Sequence, residues 1–168
     1  MRPTLPRPKA LLLDDDPAVL RLLGRALAAR GLEVLAATEG ASGLELLLDE
    51  LLGLDVLVID LDLPGRDGWA MLRLIRGAGG EEDLGVVVLA DRPAPGVRER
   101  LLALGADAVA DRADGPEAAA RAAQAVAASH RDRLPAAPRS AGWREPLPPR
   151  PSRPVLLALS PASAMPSY

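Results

Sequence analysis

Cysteine is absent from these 168 residues. Its absence removes disulfides, thiolate metal sites and cysteine nucleophiles together. One histidine, His130, excludes multi-histidine metal sites. Phenylalanine is missing too, and Trp69, Trp143 and Tyr168 are the only aromatic residues. A core must therefore be built from Leu, Val, Ile and Ala. Lys9 is the only lysine, against 19 arginines. Long apolar runs are also scarce. The run at 10–13 is stopped by three aspartates, so it does not read as a signal-peptide core. The run at 155–159 has five residues, where a membrane span needs roughly 18. The expectation is a cytoplasmic protein with no membrane association.

What is present divides the chain. Residues 9–130 carry 21 acids and 12 bases, whereas residues 131–168 carry two acids and six Arg. An acidic globule with a basic tail makes a poor free-standing nucleic-acid binder. The tail also holds nine of the 17 Pro and shows no helical periodicity. It is expected to be disordered, as is a Pro-rich arm at 1–8. Its segment Pro146-Leu147-Pro148-Pro149-Arg150-Pro151 has polyproline spacing, which suits an aromatic-lined groove or a plain solvated linker.

Between arm and tail, apolar segments alternate with amphipathic ones. Strands are predicted at 10–14, 32–37, 56–60, 86–90 and 108–110. Helices are predicted at 17–30, 40–52, 68–76, 96–104 and 116–129. Asp16 is placed to N-cap the first helix, with Pro17 at its first position. Leu44, Leu47, Leu48 and Leu51 give the second helix one apolar face. Five strands alternating with five helices predict an α/β, doubly wound parallel sheet covered on both faces. Right-handed crossovers and a switch point near the first strand give the flavodoxin-like order 2-1-3-4-5.

That order brings chemistry together. The first strand runs into Leu13-Asp14-Asp15-Asp16-Pro17. The third ends in Asp60, followed by Leu61-Asp62-Leu63-Pro64-Gly65-Arg66-Asp67-Gly68. If the strands are parallel neighbours, Asp14, Asp15 and Asp60 share one rim. Clustered carboxylates repel one another unless a cation sits among them. Hard oxygen ligands suit Mg²⁺. Asp62 and Asp67 by themselves read as loop residues, with Asp67-Gly68 a turn into a helix.

These motifs, with Leu104-Gly105-Ala106-Asp107-Ala108 beyond the fourth strand, resemble the receiver domain of two-component response regulators over residues 9–130. The resemblance implies a signalling module, not an enzyme, in which Asp60 accepts a phosphoryl group from a sensor histidine kinase or phosphotransfer protein. It implies Mg²⁺ as cofactor, bound by Asp15 directly, by Asp14 mainly through water, by Asp60 and by the backbone carbonyl of Asp62. It also implies a downstream protein partner on the face of the fourth helix, fifth strand and fifth helix. No output domain is expected in the chain.

Three positions depart from the family pattern. Ala90-Asp91 stands where a hydroxyl residue and a small residue are expected, and Val109 replaces the switch aromatic. Arg112-Ala113 replaces Lys-Pro. Arg112 keeps the charge, but its planar fork is not a lysine point charge. It reads either as a surface ion-pair partner or as a wall of the acid pocket, and Asp91 as an N-cap for the fourth helix. With no hydroxyl and no aromatic, phosphate on Asp60 is expected to bias the signalling face weakly. The alternative function is a degenerate receiver that binds a protein partner independently of phosphorylation. A haloacid-dehalogenase-like phosphohydrolase is disfavoured, because the Asp60-Leu61-Asp62 pair follows the third strand instead of the first. A dinucleotide enzyme is excluded by an Asp-rich instead of a Gly-rich first turn.

Overall fold

The computed structural model describes residues 6–38, 47, 53–63, 67–77 and 84–133. Among them lie β1 (Lys9–Leu13), α1 (Pro17–Ala29), β2 (Glu33–Ala37), β3 (Val56–Asp60), α2 (Gly68–Gly77), β4 (Gly85–Ala90), α3 (Pro95–Ala103), β5 (Ala108–Asp111) and α4 (Pro116–Arg133). A short 3₁₀ helix, Arg112–Asp114, follows β5. The expected helix at 40–52 falls outside these residues except for Leu47, which is helical and buried. Of the expected arm at 1–8, residues 1–5 are outside them too, as are residues 64–66 and 134–168.

All strand pairs are parallel, and the order is β2-β1-β3-β4-β5. The predicted order is the one found. The three central strands are continuous apolar runs because both of their faces are covered. Side chains alternate between faces. Leu11, Leu13, Leu57, Ile59, Val86 and Val88 pack with Met71, Leu72, Ile75 and Leu101 of α2 and α3. Ala10, Leu12, Val56, Val58, Val87 and Leu89 pack with Leu23 and Leu27 of α1 and with Ala119, Ala120 and Ala123 of α4. The small alanines let α4 lie close against the sheet, which is how a core without Phe is filled.

Helix starts follow local chemistry. The Asp16 carboxylate accepts from the Ala18 N–H at 2.7 Å, and Pro17 occupies the first turn, as expected. At α3 the expectation fails. The cap is Ala94, with no side-chain hydrogen bond, and Asp91 lies in the loop before it. Pro95, with its preset φ, starts that helix and moves the cap three residues past Asp91. The last helix runs beyond 129 to Arg133. There Arg131 bonds Asp55 and the carbonyls of Pro6 and Arg7.

Candidate acid pocket

Strand register builds the site. Leu13 pairs with Ile59, so the next residues along, Asp14 and Asp60, stand side by side where β1 and β3 end. Asp14 is fully buried and Asp60 is 3% exposed, while Asp15 faces solvent. One carboxylate oxygen from each of Asp14, Asp15 and Asp60 lies within 4.8 Å of the others. The sequence-predicted acids therefore meet. Asp62 sits exposed in the turn after β3. Asp67 accepts from the Trp69 N–H at 2.9 Å and so opens α2.

Arg112 is the wall of the pocket, not a surface partner. Its Nη2 donates to Asp14 Oδ2 at 2.6 Å and lies 2.7 Å from Asp60 Oδ2. To get there from β5 the side chain crosses the end of β4, since β5 and β3 are two strand spacings apart, about 10 Å. Asp14 has both oxygens engaged, because Oδ1 accepts from the Asp16 N–H at 2.9 Å. Burial nevertheless raises its pKa from 3.8 to about 6. The Asp16 N–H and Arg112 pull it down, and Asp60 and Asp15 push it up. Burial weakens the charge of Arg112, but Asp60, Asp14 and Asp15 outweigh that and hold its pKa above the ordinary value. With all four groups ionised the pocket carries two net negative charges. Hard oxygens, close spacing and residual negative charge fit a divalent cation such as Mg²⁺.

Two further features lay outside the reach of sequence reasoning. Asp111, the last residue of β5, accepts at Oδ1 from the Arg92 N–H at 3.0 Å and from the Ala113 N–H at 2.9 Å. Those two amides hold its carboxyl below the ordinary range. Asp107, from the Gly105-Ala106-Asp107 motif, is structural. It accepts from the Val86 N–H and Arg76 Nη2, both at 2.8 Å, and pairs with buried His130 Nε2 at 2.9 Å. Arg76 also donates to the carbonyls of Gly105 and Leu84. This network closes the opposite end of the sheet, because β4 and β5 begin there.

Among the described residues no helix is long and apolar enough to cross a membrane. Known proteins resemble this chain. The response regulator MprA of Mycobacterium tuberculosis (strain H37Rv) is 35% identical over 99 residues, 59% of this chain and 41% of MprA. The transcriptional regulatory protein AfsQ1 of Streptomyces coelicolor is 39% identical over 69 residues, 41% of this chain and 30% of AfsQ1. The chain thus spans less than half the length of the curated relatives it matches. A receiver domain structure from Clostridium thermocellum superposes with a TM-score of 0.66 at 21% identity, covering 74% of this chain and 97% of that one. The chemotaxis response regulator CheY4 of Vibrio cholerae gives 0.63 at 22%, covering 71% and 98%. The response regulator receiver domain family matches residues 10–113. That match begins on β1 and ends on the turn holding Arg112, so it takes in the whole acid rim across more than half of the sequence: this chain belongs to the response regulator receiver domain family.

Proposed function

We propose that the chain is a phospho-accepting receiver, with Asp60 taking a phosphoryl group from a histidine kinase or phosphotransfer protein. The observation that carries this reading is Asp60 itself, a nearly buried carboxylate within 4.8 Å of two others and 2.7 Å from a guanidinium. Arg112 holds Oδ2 of Asp60, which leaves Oδ1 to attack phosphorus. As the Oδ1–P bond forms, the P–N bond of the donor phosphohistidine breaks and the imidazole departs. Arg112 then sits where it can pair with a phosphoryl oxygen. Asp14, Asp15 and Asp60, with the Asp62 carbonyl, are the groups that would hold Mg²⁺. Bound there, the ion would supply neutralising charge for the transferring phosphoryl group. The signal is then read by a protein partner on the face of α3, β5 and α4, in the cytoplasm.

A second reading is favoured by Ala90, which buries a methyl where a hydroxyl would contact the phosphoryl group. In it the chain binds a partner without being phosphorylated. Treatment of the full chain with phosphoramidate and Mg²⁺ separates the two. One added phosphoryl group by intact mass, lost in Asp60→Asn, supports the first. A folded wild type that takes up none supports the second.

A further inference from the structure

We propose that Asp111 is a positioning residue that latches Arg112 over the acid pocket and ties the pocket's charge to the loop between β4 and α3. Four observations meet here. Arg92, in that loop, is the one described non-glycine residue with positive φ, at 42°. Such a conformation is strained and persists only where neighbours hold it. What holds it is its N–H, which donates to Asp111 Oδ1. The same oxygen accepts from the Ala113 N–H and so caps the 3₁₀ turn whose first residue is Arg112. Arg112 in turn reaches Asp14 and Asp60. A single carboxylate oxygen thus binds both a strained loop and the turn that carries Arg112.

This route differs from a hydroxyl-and-aromatic relay, since Ala90 and Val109 supply neither group. A cation or phosphoryl group entering the pocket competes for, or adds to, the partners of Arg112. Any resulting shift of residues 112–113 changes the geometry at Asp111 Oδ1, and with it the bond that restrains Arg92. Coupling of this kind is reciprocal. Loading the pocket must alter the loop, and loosening the loop must alter the affinity of the pocket. Its use in signalling rests on Asp60 as phospho-acceptor, but the latch itself is testable without that reading.

The test uses the full chain, isotopically labelled, with Mg²⁺ alone as the probe. Mg²⁺ affinity is measured by calorimetry and exchange of the Arg92 amide by NMR, in wild type, Asp111→Ala, Asp111→Asn and Arg112→Gln. Asp111 touches none of the pocket acids. Even so, Asp111→Ala is expected to change Mg²⁺ affinity by about fivefold or more. Asp111→Asn, which keeps the Oδ1 acceptor, is expected to restore most of the wild-type value. Mg²⁺ should change Arg92 exchange in wild type and leave it unmoved in Asp111→Ala. Arg112→Gln should speed that exchange with no metal present. If Mg²⁺ binds all four proteins alike and Arg92 ignores it, the latch is refuted while the receiver reading stands. If none binds Mg²⁺, the metal-assisted reading fails, and Arg112→Gln alone decides. Faster Arg92 exchange in that variant upholds the latch, and unchanged exchange overturns it.

Discussion

Asp14 is a carboxylate held against its preference. Burial lifts its pKa to about 6, whereas the unfolded chain ionises it near 3.8. Between those values the folded protein keeps a proton that the unfolded chain has released. This contribution is fully present below the unfolded pKa and is lost as pH rises through 6. Above that, charging Asp14 costs a constant amount, about 3 kcal/mol for two pKa units. Asp14→Asn removes the titration. In metal-free buffer, the stability of that variant relative to wild type should therefore be more favourable at about pH 7 than at about pH 4, by roughly 2–3 kcal/mol in urea unfolding. A difference that does not change with pH, or changes the other way, contradicts a strained acid at this position. The same residue shows how much a sequence discloses at this scale. Asp14, Asp15 and Asp60 were readable because strand ends in a known order fix which residues meet. Arg112 was readable as a charge, but the choice between surface and pocket stayed open, since its side chain spans two strand spacings. Asp111 and Asp107 could not be assigned at all. Their partners are main-chain amides and side chains 19 to 31 residues away, beyond any local pattern apart from the Ala113 N–H.

The junction of β3 and α2 is where an element places Asp60, the proposed phospho-acceptor. Gly68 donates its N–H to the Leu61 carbonyl, and a Cβ built on it would lie 2.8 Å from the Asp60 carbonyl oxygen and from two Leu61 backbone atoms. Backbone cannot yield as a side-chain tip can, so Gly68→Ala must push α2 away from the strand end that carries Asp60. The expected loss is about 1–3 kcal/mol, the usual range for overpacking. Gly77→Ala, in the same helix with no atom within 4 Å, should be neutral or slightly stabilising, since it trades glycine for a better helix former. Denaturant unfolding of both variants is the check, and equal effects would remove the close approach as the reason for glycine at 68. The elements themselves were legible for a physical reason. Central parallel strands buried on both faces are unbroken apolar runs, and Gly31 and Gly105, both at positive φ, stand just past the ends of α1 and α3. The start of α3 misled because Asp91 has capping chemistry, while Pro93 and Pro95 decide where the helix can begin. An N-cap preference is worth about 1 kcal/mol, less than the constraint a proline ring puts on φ.

At the scale of the whole molecule, charge and composition divide the chain near residue 131, but hydrogen bonding ties Arg131 itself to the fold. Arg131 lies one residue past the last histidine, in the stretch that composition assigns to the basic tail. In the fold its guanidinium pairs with Asp55, at the start of β3, and donates to the carbonyls of Pro6 and Arg7. Asp55 also accepts from the Lys9 N–H at 2.7 Å, so one ion pair fastens the last helix to the entry of β1 and β3. Composition cannot show this, because an arginine that closes a sheet and an arginine in a solvated tail are the same letter. The consequence is a sharp boundary test. A chain ending after Arg133 should keep the unfolding free energy and Mg²⁺ response of the full protein. A chain ending after His130 should lose about 1.5–3 kcal/mol, the usual scale for hydrogen bonds to a charged group. Arg131→Ala in the full-length chain should reproduce that loss without any truncation. Equal stability of the two truncated chains would show that Arg131 adds nothing to the fold. A loss already present on cutting after Arg133 would place part of the folding unit in the Pro-rich segment.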